Sequence, residues 1–262
     1  MFFMSEIANL LAAATPPTPG EVINAIHDIA GDGSASYEIE NGSVATFWFG
    51  HAFELDGAGY YTGFVAETPE KYNDAEKDAD PTPDTQVTLS QATFSLAQPG
   101  AARSWGFEMA EFSIGKFGAF ERGNAIDDKR KPQTYTTPDG KFVLAVPTWS
   151  LSGGVRVDAY DLFAFDPADL TDPNTTHWTY LGSVAAGEDN GASCDEDDDQ
   201  QPCARSFGAL SFEPHGDDLP LIHVAMSGTR IVAAGKVRTL GPADALEYRY
   251  VATENQYQPS AQ

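Results

Sequence analysis

The chain of 262 residues carries 39 acidic against 15 basic side chains, a formal charge of −24 at pH 7, and a field of that sign repels phosphate backbones and anionic membrane surfaces, which argues against nucleic acid as a partner. A hydrophobic fraction of 42% with 16 Phe, 10 Tyr and 4 Trp supplies a core and excludes disorder over most of the length, while 24 Gly and 17 Pro favour short elements over long helices. No run approaches the roughly 18 apolar residues of a membrane-spanning helix.

The opening Met1-Phe2-Phe3-Met4 lacks the basic flank and the apolar length of a secretory leader, so an exported form would have lost its leader before residue 1. Ser5 can cap a helix running through Ala14, with Ile7, Leu10, Leu11 and Ala14 at helical spacing, and Pro16-Pro17 ends it. Thr18-Pro19-Gly20-Glu21 then reads as a capping box with proline at the first helical position, leading into Val22, Ile23, Ile26 and Ile29 on one face. Residues 1–33 are therefore expected to form a helical hairpin packed on a sheet.

From Tyr37 the apolar period changes to two. Val44 to Phe49 and Tyr60 to Val65, joined across Asp56-Gly57-Ala58-Gly59, predict a β-hairpin. Thr68 to Thr85, charged and with three prolines, predicts an exposed loop. Strands follow at Thr85 to Leu89, Ala92 to Leu96 and Phe107 to Phe120, the last with Gly115 and Gly118 marking a bulge or bend. Glu121 to Pro132 gathers Arg122, Lys129, Arg130 and Lys131 into the one locally basic connection. Thr137-Pro138-Asp139-Gly140 is a turn before the wholly apolar strand Phe142 to Val146, and further strands are expected near Val155 to Phe165, Trp178 to Leu181, Ala209 to Phe212, Leu221 to Ala225 and Leu246 to Val251. The sum is a mainly β protein, sandwich or barrel-like, of about ten to twelve short antiparallel strands with an N-terminal helical appendage. Residues 34–253 read as one β-rich domain and 254–262 as a disordered tail.

The most unusual local feature is the loop between the two cysteines, Cys194 and Cys203, which encloses Asp195-Glu196-Asp197-Asp198-Asp199. In so polar a setting a disulfide is favoured over two free thiols, and it requires an oxidising compartment, periplasmic or extracellular. Asp195, Asp197 and Asp199 have the spacing of the first three oxygen ligands of a Ca²⁺ loop. Gln200 stands where that loop needs glycine and Ser206 where a bidentate Glu closes it, so any Ca²⁺ site would be looser and would recruit Glu188, Asp189 or Glu196. A solvated acidic loop tied by a disulfide is the plainer reading.

Catalytic motifs are missing. There is no H-E-x-x-H pair, no G-x-S-x-G elbow and no phosphate-cradling glycine loop. The remaining candidates are His51 with Glu54, His215 beside Asp217 and Asp218, Ser227 four residues after His223, and an aromatic groove drawn from Trp48, Tyr60, Tyr61, Trp105, Trp149 and Trp178. The expectation that results is an extracytoplasmic binding protein without catalysis, of inhibitor or immunity type, whose acidic loop plugs the cleft of a basic protein partner. The alternatives are a secreted or periplasmic, Ca²⁺-dependent polymer hydrolase and a structural module of an envelope assembly.

Overall fold

The computed structural model describes residues 6–29, 32–97, 104–168, 170, 175–194, 202–216 and 218–260, without the side chains of Asp74 and Asp218. Fifteen strands lie among these residues, in three antiparallel sheets, so the fold is mainly β with N-terminal helices, as the periodicity predicts. The chain divides into two compact units, Met1–Gly123 with Asp169–Thr179 and Asn124–Ala168 with Tyr180–Gln262, where the strand pattern alone suggests a single body over 34–253.

Unit 1 is built on a meander: β1 (Ser36–Glu38), β2 (Val44–Leu55), β3 (Ala58–Glu67), β4 (Val87–Leu96) and β5 (Trp105–Phe117) pair in sequence order. β2 and β3 are joined by Asp56-Gly57, whose φ values of 50° and 76° suit a two-residue hairpin turn. The helices are α1 (Glu6–Ala13), α2 (Pro19–His27) and a short α3 (Asp74–Lys77) inside the otherwise exposed β3–β4 connection. The capping box at α2 forms as its sequence dictates: the Glu21 N–H donates to the Thr18 hydroxyl and the Thr18 N–H to the Glu21 carboxylate. Val22, Ile23 and Ile26 of α2 bury against Tyr61, Val65, Ala92, Phe94 and Trp105. Gly63 permits this approach, since a Cβ there would stand 2.6 Å from Val22. α1 buries no residue completely, and its expected cap Ser5 lies outside the described residues.

The opposite face of the same sheet holds Phe53, Phe64 and Trp178 edge to face, threaded by a buried polar row. Trp178 Nε1–H donates to the Thr93 hydroxyl at 3.1 Å, Thr93 donates to Gln91 Oε1, and the Gln91 amide donates to Glu111. With its proton committed to Gln91, Thr93 accepts from the Thr62 hydroxyl at 2.9 Å. Glu111 also accepts the backbone N–H groups of His177 and Trp178, fastening that segment to β5. The bulge predicted near Gly115 is present: the register shifts between Leu89–Gly115 and Gln91–Glu111.

Unit 2 is a sandwich. One sheet runs β10 (Trp178–Asp189), β9 (Val155–Phe165), β8 (Phe142–Ser152), β6 (Ala125–Ile126), with β7 (Gln133–Thr136) also on β8. The other runs β11 (Ser206–His215), β12 (Asp218–Ala233), β14 (Leu246–Val251), β15 (Gln256–Pro259), with β13 (Lys236–Thr239) on β12. Tyr160, Leu162, Leu181 and Val184 of the first sheet meet Leu210, Ile222, Val224, Tyr248 and Tyr257 of the second in one apolar core. The tail expected to be disordered from Glu254 is ordered as far as described. β15 pairs with β14, and Tyr257, buried in that core, donates its hydroxyl to the Pro220 carbonyl. One aromatic anchor with a partner outweighs a polar composition.

In the basic connection Glu121 to Pro132 the residues Arg122, Lys129 and Lys131 are exposed, but Arg130 is not. Arg130 turns inward, donating to Asp127 at 2.7 Å and to the carbonyls of Thr148 and Ala159, and lies over the Tyr160 ring.

Candidate functional site: the neck of the cysteine loop

β10 and β11 of unit 2 lead into and out of the cysteine loop, and the chain closes on itself between them. Cys194 and Cys203 form the expected disulfide, with Cα atoms 5.0 Å apart. Asn190 clamps both sides of the neck. Its amide donates to the Pro202 carbonyl at 3.0 Å, its side-chain oxygen accepts the Ala204 N–H at 2.7 Å, and its own carbonyl accepts the N–H groups of Ser193 and Cys194. Below it Asp189 and Arg205 face each other in an isolated β-bridge and pair at 3.0 Å, and the Arg205 guanidinium stacks 4.7 Å over Phe207. The Glu188 N–H donates to the Ser206 hydroxyl.

Two glycines make room for so tight a closure. Gly187 has φ of 139°, and a Cβ on it would meet the Ser206 carbonyl oxygen at 2.4 Å; at Gly228, φ 87°, the obstacle is the Arg205 carbonyl oxygen at 2.3 Å. A groove of about 350 Å³ runs beside the neck, lined by Gly153 and Val155 at the β8–β9 turn, Glu188 and Ser193, and Arg230 and Ile231 of β12.

The five acidic residues Asp195, Glu196, Asp197, Asp198 and Asp199, including the metal candidates Asp195, Asp197 and Asp199, lie outside the described residues. Among the described residues no group of three or more His, Cys, Asp or Glu side chains is arranged to hold a metal ion. Of the supplementary ligands considered, Asp189 is held by Arg205 and the Gly191 N–H, and Glu188 is exposed at the groove.

The other sequence candidates are not brought together as catalytic sites. His51 and Glu54, three residues apart on β2, point to opposite faces. His51 is deep enough that burial alone drives its pKa down to about 4, so it is neutral at pH 7. His223 and Ser227 share a face of β12 but stand about 13 Å apart at strand rise. His223 is instead flanked by Glu213 at 2.7 Å and Glu247 at 3.7 Å, and Ser227 donates to the Phe207 carbonyl. His215 is exposed at the end of β11. Of the aromatics, Tyr61, Trp105 and Trp178 are buried in unit 1, Trp48 packs on Phe64 and Phe117, Tyr60 stacks on Phe53, and Trp149 carries the Arg156 guanidinium.

A buried carboxylate in unit 2 escaped the sequence reading. Asp161, fully buried on β9, accepts from Tyr180 OH at 2.7 Å and from the Asn124 amide at 2.9 Å. Burial raises its pKa against those bonds. An aspartate in an apolar strand was the signal that could have found it. The clamp residue Asn190 was likewise overlooked, although Asn190-Gly191 is a turn signature.

Comparison with protein-family models, with curated proteins and with solved structures finds no match to this chain.

Proposed function

We propose that the protein binds a basic macromolecular partner through the disulfide-closed loop Cys194–Cys203, in the manner of an inhibitor or immunity protein, and works in an oxidising compartment such as the periplasm or the extracellular space. The observation that supports this reading is the neck. A covalent bond, the Asn190 clamp and the Asp189–Arg205 pair converge at the base of a segment whose sequence carries five consecutive carboxylates. Fixing both ends of a charged segment lowers the ordering cost when a cationic surface docks on it. Among the described residues no helix is long and apolar enough to cross a membrane.

The test compares two variants of equal net charge, each binding a lysine decapeptide followed by anisotropy. One neutralises Asp195 to Asp199 as amides; the other neutralises five exposed carboxylates of unit 1, Glu38, Glu40, Asp78, Asp80 and Asp84. The loop variant should lose affinity at least about fivefold relative to the unit 1 variant. Equal losses would mean that only the overall field attracts the peptide.

A further inference from the structure

Unit 1 contains a second concave surface, independent of the neck: a groove of about 760 Å³ between α2 and the paired strands β4 and β5. Its wall is mixed: Pro16, Ile26, Phe94, Trp105 and Phe107 form an apolar and aromatic part, and Thr18, Asn24 and Ser104 a polar one. The Phe94 and Phe107 rings meet at 72° with centroids 6.0 Å apart, and Phe107 is 56% exposed. The Trp105 indole is fixed by its N–H donating to the Thr15 carbonyl at 2.9 Å.

The charged side chains among the described residues lining the groove are Glu21 and Asp28, at opposite ends of α2. Glu21 sits at the helix N-terminus, where a carboxylate is favoured and capped. Asp28 breaks one local rule. It is the C-cap residue, in the left-handed region at φ 54° that aspartate tolerates better than most residues, but it places a negative charge at the negative end of the helix dipole. A local cost with no structural return among the described residues is what a ligand-facing residue shows.

We propose that this groove binds an organic cation with an apolar body: the ammonium or guanidinium group lies against Asp28, and the body lies over the exposed Phe107 ring, beside Trp105. The pairing of carboxylate and aromatic faces is selective for such a ligand, because a cation gains from both and an anion is repelled by both. An uncharged apolar ligand gains only the area term.

The test titrates the whole protein with choline and with 3,3-dimethylbutan-1-ol, which differ in replacing the charged nitrogen by carbon, and follows the Trp105 indole N–H by NMR. Choline should bind saturably and roughly three- to fivefold more tightly than the neutral analogue. Asp28→Asn keeps the left-handed cap, so it should lower choline affinity by about the same factor while raising Tm by about 1–3 °C, the signature of a charge retained for binding. Phe107→Ala, at an exposed position, should weaken both probes. Asp84→Asn, at the other end of β4, controls for the general field and should change neither. Equal affinity for the two probes, no choline binding, or a D28N variant with unchanged affinity or Tm would overturn the assignment.

Discussion

The two units handle buried polarity in opposite ways. The fully buried polar groups of the unit 1 sheet are neutral, Thr62, Thr93, Gln91 and the Trp178 indole, in a chain that ends on the part-buried Glu111 carboxylate, and the titratable ring on β2, His51, is held neutral. Unit 2 buries charge. Asp127 is nearly inaccessible, and burial pushes its carboxyl up, yet the Arg130 hydrogen bond, the Lys129 N–H and the nearby Arg156 outweigh that and hold it below the usual range. Asp161, on the same sheet with only neutral donors facing it, goes the other way. The direction in which a buried aspartate shifts here follows from whether a cation lies beside it. Lys71, Arg130, Lys141, Arg156, Arg205 and Arg238 are all engaged by carboxylates of the chain itself. In a protein with 15 basic and 39 acidic residues, those six pairings cover only a small part of the acidic side chains.

The contrast can be broken most severely at Arg130. Arg130→Met removes the closest cation of Asp127 in unit 2 while Arg156 stays at 3.2 Å, and the expected loss is about 3 kcal/mol in urea unfolding, since Asp127 and the carbonyls of Thr148 and Ala159 all lose their charged hydrogen bonds to Arg130. Unit 1 should respond to acid instead. His51 takes up a proton with pKa near 6.5 when unfolded but about 4 when folded. The neutral ring therefore contributes its full stability above pH 6.5, and that stability drains away as pH falls from 6.5 towards 4. The loss is up to about 3 kcal/mol, and His51→Asn should flatten the corresponding fall in Tm. The smallest effect is expected at Asp161→Asn. Tyr180 can reverse its hydrogen bond, and burial works against the Asp161 charge that the amide removes, so unfolding free energy should change by less than about 1 kcal/mol at pH 7. A loss as large as that at Arg130 would mean that the unit 2 core depends on the Asp161 carboxylate and the contrast is wrongly drawn.

Much of the fold was legible in residues whose backbone needs are local. Asp56-Gly57 specified the β2–β3 hairpin, the Thr18–Glu21 box specified α2, Gly115 marked the bulge in β5, and the polar loop between Cys194 and Cys203 marked the disulfide. What was misread depended on distant partners. The strand expected near Leu221 to Ala225 outruns its apolar residues, since β12 continues through Ser227-Gly228-Thr229 to Ala233. Gly228 is there because the Arg205 carbonyl presses on it, a contact that no local pattern carries. β15 was invisible for the same reason: its one apolar residue is worth a strand only because the Pro220 carbonyl and the unit 2 core lie where Tyr257 needs them. At the candidate site, the cysteine pair could be read but the Asn190 clamp could not, because its partners Pro202 and Ala204 arrive from the far side of the loop.

The proposed role rests on the neck holding the carboxylates in place rather than on charge alone, and binding of the lysine decapeptide to Cys194→Ser/Cys203→Ser addresses that point directly. The variant keeps the formal charge of −24. Preorganisation by the disulfide predicts a several-fold drop in affinity at fixed ionic strength with the fold retained by circular dichroism. Undiminished affinity in the bridge-free protein would contradict the account.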